Sequence, residues 1–429
     1  MRQRIEKAGL KYRNPGQKAD FCIINTCTVT GKTDARCRNA IRRARRSSPR
    51  AVIIVTGCQV EISGERLKNM EEVDYVIENS AKGKIDLLIA DLANGLTGGA
   101  VTSDSGLSNY REPRRLPIGR FSNHARAFIE IQNGCNAFCS YCIIPFARGR
   151  SRSIPPESVI KQIRRLASGG YQEIILTGIH IGRYGEGEDY KTGLTGLLRM
   201  ILDRTEGTRI RLSSIEPNEI EMELIELAAS TERIASHFHI PLQSGDDSIL
   251  AEMNRQYSTS EYREKIELVS GNIEDVCIGT DIIVGFPGEE KMNFEKSAEF
   301  LESLPQINYY HVFSYSDRPG TRASEMGGKV NPAEKKRRSR ILINSGERRR
   351  VEFLKSQVGK SRLAIILEES GEQPGLFRAI TGNYCDLAVK SEPGMTRKLV
   401  PVRVERFEKG RLSGRVSGKP YFKAVQDDR

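Results

Sequence analysis

The sequence predicts an α/β protein with two parallel-sheet domains and a small all-β barrel at its C-terminus. Three observations predict it. Short β-branched runs alternate with helical, charged stretches in about the first hundred residues. The same alternation recurs more regularly from Arg126 to about residue 350. The remaining stretch then changes to closely spaced short strands broken by glycine-rich or charged turns. At 429 residues the chain also exceeds what one hydrophobic core organises, since domains run to roughly 100–200 residues each.

The elements follow in order. Phe21–Asn25 and Ala51–Thr56 are continuous apolar runs that read as buried parallel strands, with a helical pattern at Thr33–Ser47 between them and a further strand around Val73–Ile77. The stretch 96–120 is rich in turn formers, lacks periodicity and reads as a linker. Strands are then expected at Ala127–Gln132, Glu173–Thr177, Ile210–Ser213, Ser236–Ile240, Ile278–Val284 and Tyr309–Phe313, with helices such as Pro156–Ala167 and Glu295–Leu304 between them. Six such strands make a parallel sheet, open or rolled into a partial (β/α)6 barrel. After a basic helical stretch at Lys335–Arg350, short strands at Leu363–Leu367, Gly375–Thr381, Tyr384–Val389, Lys398–Phe407 and Arg411–Val416 suggest a small barrel. The expected domains are therefore 1–95, 121–352 and 354–425.

With 38% apolar and 28% charged residues, the composition excludes a membrane-embedded chain and a fully disordered one. No apolar run approaches the roughly 18 residues of a spanning helix, and the first residues carry no apolar segment of an export signal, so the chain reads as cytoplasmic. Two features stand out: a net charge of +12 and nine cysteines. In a reducing compartment clustered cysteines point to metal or catalysis rather than disulfides. Excess positive charge points to a polyanionic partner, with a merely basic surface as the alternative.

The sharpest motif is CNAFCSYC, which puts Cys135, Cys139 and Cys142 in one loop after the first strand of the middle domain. Structural zinc takes four protein ligands, whereas three thiolates on a four-iron cluster leave one iron open to bind a small molecule. Zinc completed by a distant histidine such as His311 is the alternative.

This spacing, with Tyr141 before the last cysteine, resembles the radical S-adenosylmethionine superfamily. The resemblance extends through LTGIHIGRYGE, RLSSIEP, HIPLQSGDDSIL, DIIVGFPGE and HVFSYSDRPGTRA, which look like the strand-end motifs of the methylthiotransferases. INTCTVT and VTGCQVE look like the N-terminal domain of that family, and the final β segment looks like its TRAM RNA-binding domain. Three of the motifs most resemble the branch acting on N6-threonylcarbamoyladenosine at position 37 of tRNA. The branches acting on isopentenyladenosine or on a ribosomal-protein aspartate differ there.

The resemblance implies S-adenosylmethionine, two 4Fe-4S clusters and a cellular electron donor. Cys135, Cys139 and Cys142 would hold the cluster that cleaves S-adenosylmethionine to a 5′-deoxyadenosyl radical, a strong enough hydrogen abstractor for an aromatic C–H. Tyr141, Gly178, Ser214, Glu216, Gln243 and Gly285 are candidate cofactor contacts at strand ends. The glycines could equally be strand-to-helix turns, and the polar residues helix caps. Cys27 and Cys58 match two of three ligands of an auxiliary cluster that carries the sulfur and methyl group. The family's first such cysteine has no counterpart. A start codon assigned too late, a truncated inactive gene, or replacement by Cys22 or Cys37 would account for it, and the first is preferred. Cys22 lies one strand-length from Cys27, about 16 Å at ~3.3 Å per residue. Cys37 could approach only if the N-terminal half of its helix faces the site. Cys22, Cys277 and Cys385 read as buried, inert thiols.

Arg42, Arg43 and Arg46 belong to an arginine-rich helix, and Arg337 and Arg338 to another, each with almost no interleaved acids, as suits phosphate contact. The terminal stretch 356–425 has 13 basic and 7 acidic residues, with Arg378 on one of its strands. Phe377, Tyr384 and Phe407 are candidates there for base stacking, or else core. The expected function is methylthio transfer to C2 of the modified adenosine of tRNA. The alternatives are a tRNA-binding iron–sulfur protein inactive in methylthiolation, or methylthiolation of another substrate.

Overall fold

The computed structural model describes residues 5–6, 9–94, 124–190, 192–370 and 374–422. The linker expected at 96–120 lies outside the described residues. The chain divides into two compact units. One gathers the described residues before 95 with Gly134–Arg152 and Ser316–Glu325, and the other holds 124–133, Ser153–Tyr315 and the described residues from Met326 onward. Domain boundaries drawn from strand–helix alternation cannot show this grouping, because it depends on packing between segments far apart in sequence.

In the first unit, β1 (Phe21–Thr26), β2 (Val52–Gly57) and β3 (Tyr75–Ile77) form a parallel sheet in that order. The apolar runs are covered on both faces. Ile54 packs with Ile77, Ile85, Leu88 and Ile89, while Ile53 and Val55 pack with Ile41, Val60 and Leu67. Helix α1 (Gly31–Ser47) crosses from β1 to β2. The Thr30 hydroxyl caps it by accepting from the Thr33 amide at 3.2 Å, and Asp34 favours its positive end. Helix α2 (Cys58–Lys68) leaves β2 directly. The segment Ser316–Glu325 is fastened to α1 by buried Arg318, whose guanidinium donates to Asp34 at 2.7 Å.

In the second unit, β4 (Ala127–Glu130), β5 (Glu173–Thr177) and β6 (Arg209–Leu212) are parallel neighbours, as are β7 (His237–His239), β8 (Cys277–Val284) and β9 (Ile307–Ser314). A parallel bridge between Ile210 and Ile234 joins the two sets, so the six strands run in chain order. Their helix-facing side chains, including Ile174, Ile210, Phe238, Ile278 and Tyr310, enter one large core. The helix Pro156–Ser168 buries Val159, Ile160, Ile163 and Leu166 at helical spacing. No helix among the described residues is long and apolar enough to cross a membrane.

The same unit ends in a closed barrel of β10 (Ser361–Glu369), β11 (Leu376–Thr381), β12 (Asp386–Lys390), β13 (Leu399–Glu408) and β14 (Arg411–Val416), ordered β10-β11-β12-β14-β13. Its core draws alternate residues from each strand, among them Ala364, Ile366, Phe377, Ala379, Val400 and Val402. Arg209 and Arg211 dock it to the six-stranded sheet, donating to the carbonyls of Leu363 and Thr381 at 2.8 Å each. Of the rings expected to stack on bases or else fill the core, two are placed by the structure. Phe377 fills the barrel core, and Tyr384, in the turn after β11, stacks on His237 with ring centroids 4.3 Å apart. Phe407 is half-buried against the core with Lys355 over its ring.

Candidate active site

The cysteine loop is built by two tight turns. Phe138 adopts a left-handed conformation (φ 47°), and the Cys142 amide donates to the Cys139 carbonyl at 2.9 Å. The Cys135 amide closes the loop on Gly149 at 3.1 Å. All three cysteines are half-buried, and the Ala137 amide points at Cys135 Sγ at 3.4 Å. Soft sulfur donors supported by a backbone N–H fit an iron–sulfur cluster. Tyr141 is half-buried between Ser140 and Cys142.

Cys27 and Cys58 follow β1 and β2 immediately, and the register Thr26↔Gly57 places them side by side at the sheet's C-terminal edge. Cys58 is buried and accepts from Arg148 Nε at 2.9 Å, a cationic donor that complements a negative sulfur. Beside it, the buried Oε1 of Gln59 and Oγ1 of Thr56 have no hydrogen-bond partner among the described residues, polar atoms that suit a polar or metallic occupant of this edge. Cys37 does face this edge from the N-terminal half of α1, accepting from the Cys27 amide at 3.4 Å. Cys277 and Cys385 are buried as expected, which pushes Cys277 up to about 12 and raises Cys385. Cys22 departs from the buried position expected of it: it is half-buried against the cluster of Ile41, Ile53 and Val55, and desolvation raises its thiol.

Gly57 has φ 109°, and a Cβ there would lie 2.2 Å from the Thr26 carbonyl oxygen. Gly57→Ala is therefore expected to destabilise the first unit by more than about 1 kcal/mol, read by urea unfolding. An unchanged unfolding midpoint would contradict this.

The strand-end candidates of the second unit fall at the C-terminal ends of β5 to β8, where active sites of parallel α/β folds lie. Ser214 is exposed just beyond β6, and Glu216 is half-buried in an ion pair with Arg255. Gln243 is buried with φ 67°, a costly conformation held by its amide donating to the Asp281 carbonyl at 2.8 Å. At Gly178 and Gly285 the space a Cβ would fill is taken by the chain itself, by the Gln132 carbonyl and Ile181 in one case and the Lys335 stem in the other. Close packing by itself accounts for the absence of a Cβ at Gly178.

Sequence reasoning missed a polar face inside the six-stranded sheet. His239 Nε2 and His311 Nδ1 both approach Asp281 Oδ1, at 2.9 and 3.2 Å. Burial pushes the Asp281 carboxyl up, but its bonds to the two histidines outweigh that and hold it down to about 2. The available signal was His237 and His239 alternating with Phe238 in one strand, and a single carboxylate, Asp281, in the otherwise uncharged run Cys277–Val284.

The basic surface is sorted by partners. Arg43 and Arg46 are exposed on α1, and Arg42 is exposed with Glu72 at 3.6 Å. Arg337 is exposed beside Glu334, and Arg378 pairs with Asp386 and Glu368. Arg338 departs from its expected role. It is buried, donating to Glu289 Oε2 at 2.6 Å and Glu334 Oε1 at 2.9 Å, so its charge is spent inside the protein. The acids that pair with the helix carrying Arg338 are Glu334 at its own start and Glu289 and Glu302 from elsewhere in the chain.

Residues 129–301 match the Radical SAM superfamily, and residues 1–78 match the Uncharacterized protein family UPF0004. The threonylcarbamoyladenosine tRNA methylthiotransferase MtaB of Aquifex aeolicus is 38% identical over 372 residues, spanning 86% of this chain and 87% of that protein. Its namesake in Bacillus subtilis is 37% identical over 407 residues, spanning 94% and 89%. The tRNA-2-methylthio-N(6)-dimethylallyladenosine synthase of Pelotomaculum thermopropionicum is 30% identical over 419 residues, spanning 96% and 93%. Among solved structures, the radical S-adenosylmethionine methyltransferase TsrM from Kitasatospora setae, with cobalamin and a 4Fe-4S cluster bound, shares the fold. Its TM-score is 0.54 at 16% identity, covering 72% of this chain and 66% of that one. With relatives this similar along most of its length, the chain belongs to the radical SAM methylthiotransferase family and is an enzyme of that class.

Proposed function

We propose that the enzyme transfers a methylthio group to C2 of N6-threonylcarbamoyladenosine at position 37 of tRNA, in the cytoplasm. The observation that carries this reading is the similarity, across 94% of the chain, to a relative named for that substrate, higher than to the relative named for the dimethylallyl substrate. Cys135, Cys139 and Cys142 would hold the cluster that binds S-adenosylmethionine, and Cys27 and Cys58 two corners of a second cluster. When bound, these groups supply one-electron chemistry at a C–H bond of no useful acidity, with electrons from a cellular donor. The chain's own residues supply position. The Phe138 turn presents the three thiols, strained Gln243 and the Glu216–Arg255 pair order the strand ends, and Arg148 holds Cys58. Exposed Arg42, Arg43, Arg46 and Arg337, with Arg378 at the barrel, would meet the phosphate backbone.

Mass spectrometry of tRNA nucleosides tests this. Deleting the gene should abolish 2-methylthio-N6-threonylcarbamoyladenosine and leave its unthiolated precursor. An unchanged level would overturn the reading in favour of a tRNA-binding protein inactive in this reaction, and loss of the isopentenyladenosine product instead would reassign the substrate.

A further inference from the structure

We infer that His239, Asp281 and His311 form a binding site for one divalent first-row transition-metal cation, separate from the cysteine ligands. The three residues come from three adjacent parallel strands, β7, β8 and β9, where Gly279 lies opposite His239 and Asp281 opposite His311. Strand alternation puts them on the face opposite Phe238, Ile240, Ile278 and Ile282, which enter the core. Their ligand atoms, two imidazole nitrogens and a carboxylate oxygen, all lie within 4.8 Å of one another. Strands hold such a triad more rigidly than loops, so little ordering would be needed on binding.

The surroundings are built to orient a ligating imidazole. The other nitrogen of His239, Nδ1, is 3.1 Å from the Tyr309 hydroxyl, which is in turn 2.8 Å from His237 Nε2. A metal-binding histidine characteristically has its second nitrogen fixed in this way. Tyr309 reaches this position because residue 279 is glycine, where a Cβ would lie 1.9 Å from the phenol ring.

The hydrogen-bond chain also solves the proton problem of the site. Without metal, His239 Nε2–H donates to Asp281, Tyr309 donates to His239 Nδ1, and His237 Nε2–H donates to Tyr309. With metal, His239 presents the Nε2 lone pair and carries its proton on Nδ1, donating to Tyr309. Tyr309 then donates to His237 Nε2, and the His237 proton moves to Nδ1, an atom with no other partner among the described residues. The count of protons on the three groups is unchanged. His311, with a side chain 55% exposed, exchanges its proton with water and leaves the site open on that side. Two imidazoles and a carboxylate with open positions suit zinc, iron(II) or manganese(II) rather than the all-oxygen preference of calcium or magnesium. An oxygen donor would complete the coordination.

Zinc is the probe. Cluster-loaded protein is freed of loose metal with a chelator, equilibrated anaerobically with Zn2+, and measured for zinc and iron per chain and by zinc-edge X-ray absorption. The expected result is one zinc with nitrogen and oxygen neighbours only, at about 2.0–2.1 Å. Asp281→Asn and His311→Gln should each lose it with iron unchanged, and Tyr309→Phe should weaken it about 10–100-fold. His311 is exposed, so its variant folds even if Asp281→Asn does not. No zinc uptake, zinc bound only through sulfur at about 2.3 Å, or uptake unchanged in His311→Gln would each overturn the proposal.

Discussion

Cys139→Ser is expected to give a folded protein that, after anaerobic reconstitution, holds one 4Fe-4S cluster fewer than its parent and makes no detectable methylthiolated nucleoside. Serine keeps the shape and the carbonyl that accepts the Cys142 amide, so the loop survives. What changes is the donor. A hydroxyl stays protonated where a thiol releases its proton to solvent on binding iron, and hard oxygen is a poor substitute for soft sulfur. With two thiols left, the cluster has no stable seat, and at least ~10⁶-fold of rate enhancement goes with it. Cys22→Ser is the control, because Cys22 packs between apolar neighbours in β1 and its thiol is raised by burial. It should keep full iron content and activity. Full iron and activity in Cys139→Ser would remove this cysteine from the site.

What could be read from the sequence depended on distance along the chain. The strands Glu173–Thr177 and Arg411–Val416 were legible to the residue because each is a local run ended by turn formers. The cysteine loop was legible because all its donors sit within eight residues, and Cys27 and Cys58 because each ends a recognisable strand. The His239, Asp281 and His311 cluster needs the register of three strands, which local pattern does not specify. Arginine charges are visible in sequence, but their partners are not. Arg338 meets Glu289 and Arg349 meets Glu302 only once the long helix Pro332–Ser356 is docked. Tyr384 and Cys37 were undecidable for a similar reason. Whether an aromatic ring is buried depends on how the barrel docks, and whether a helical cysteine faces Cys27 depends on the helix's rotation.

Glu173→Gln is expected to cost about 3–5 kcal/mol of stability at neutral pH, the largest effect of a single substitution outside the cysteines. Glu173 is fully buried between Arg209, also buried, and Arg211, with bonds of 2.8 and 3.1 Å, and Arg126 lies 3.6 Å away. Burial pushes its carboxyl up, but the guanidinium charges of Arg211 and Arg209 outweigh that and hold it down to about 2. Glutamine fills the space yet leaves these arginines buried without their anion. The same arginines dock β10 and the turn after β11, donating to the carbonyls of Leu363, Thr381 and Gly382, so the barrel loosens with them. The sign of the pH dependence follows from the depressed value. The carboxylate's contribution, about 3 kcal/mol, is complete above the unfolded value near 4.3 and is lost as pH falls toward 2. The parent should therefore lose stability steeply below about pH 4.5, and Glu173→Gln should lose less over that window, since its deficit is already present at neutral pH. Urea unfolding from pH 3 to 8 measures both, and hydrogen exchange in β11 and β12 should rise in the variant. A variant within about 1 kcal/mol of its parent at pH 7.5, with a parallel pH profile, would show that the arginines find other partners and that the docking rests on the carbonyls alone.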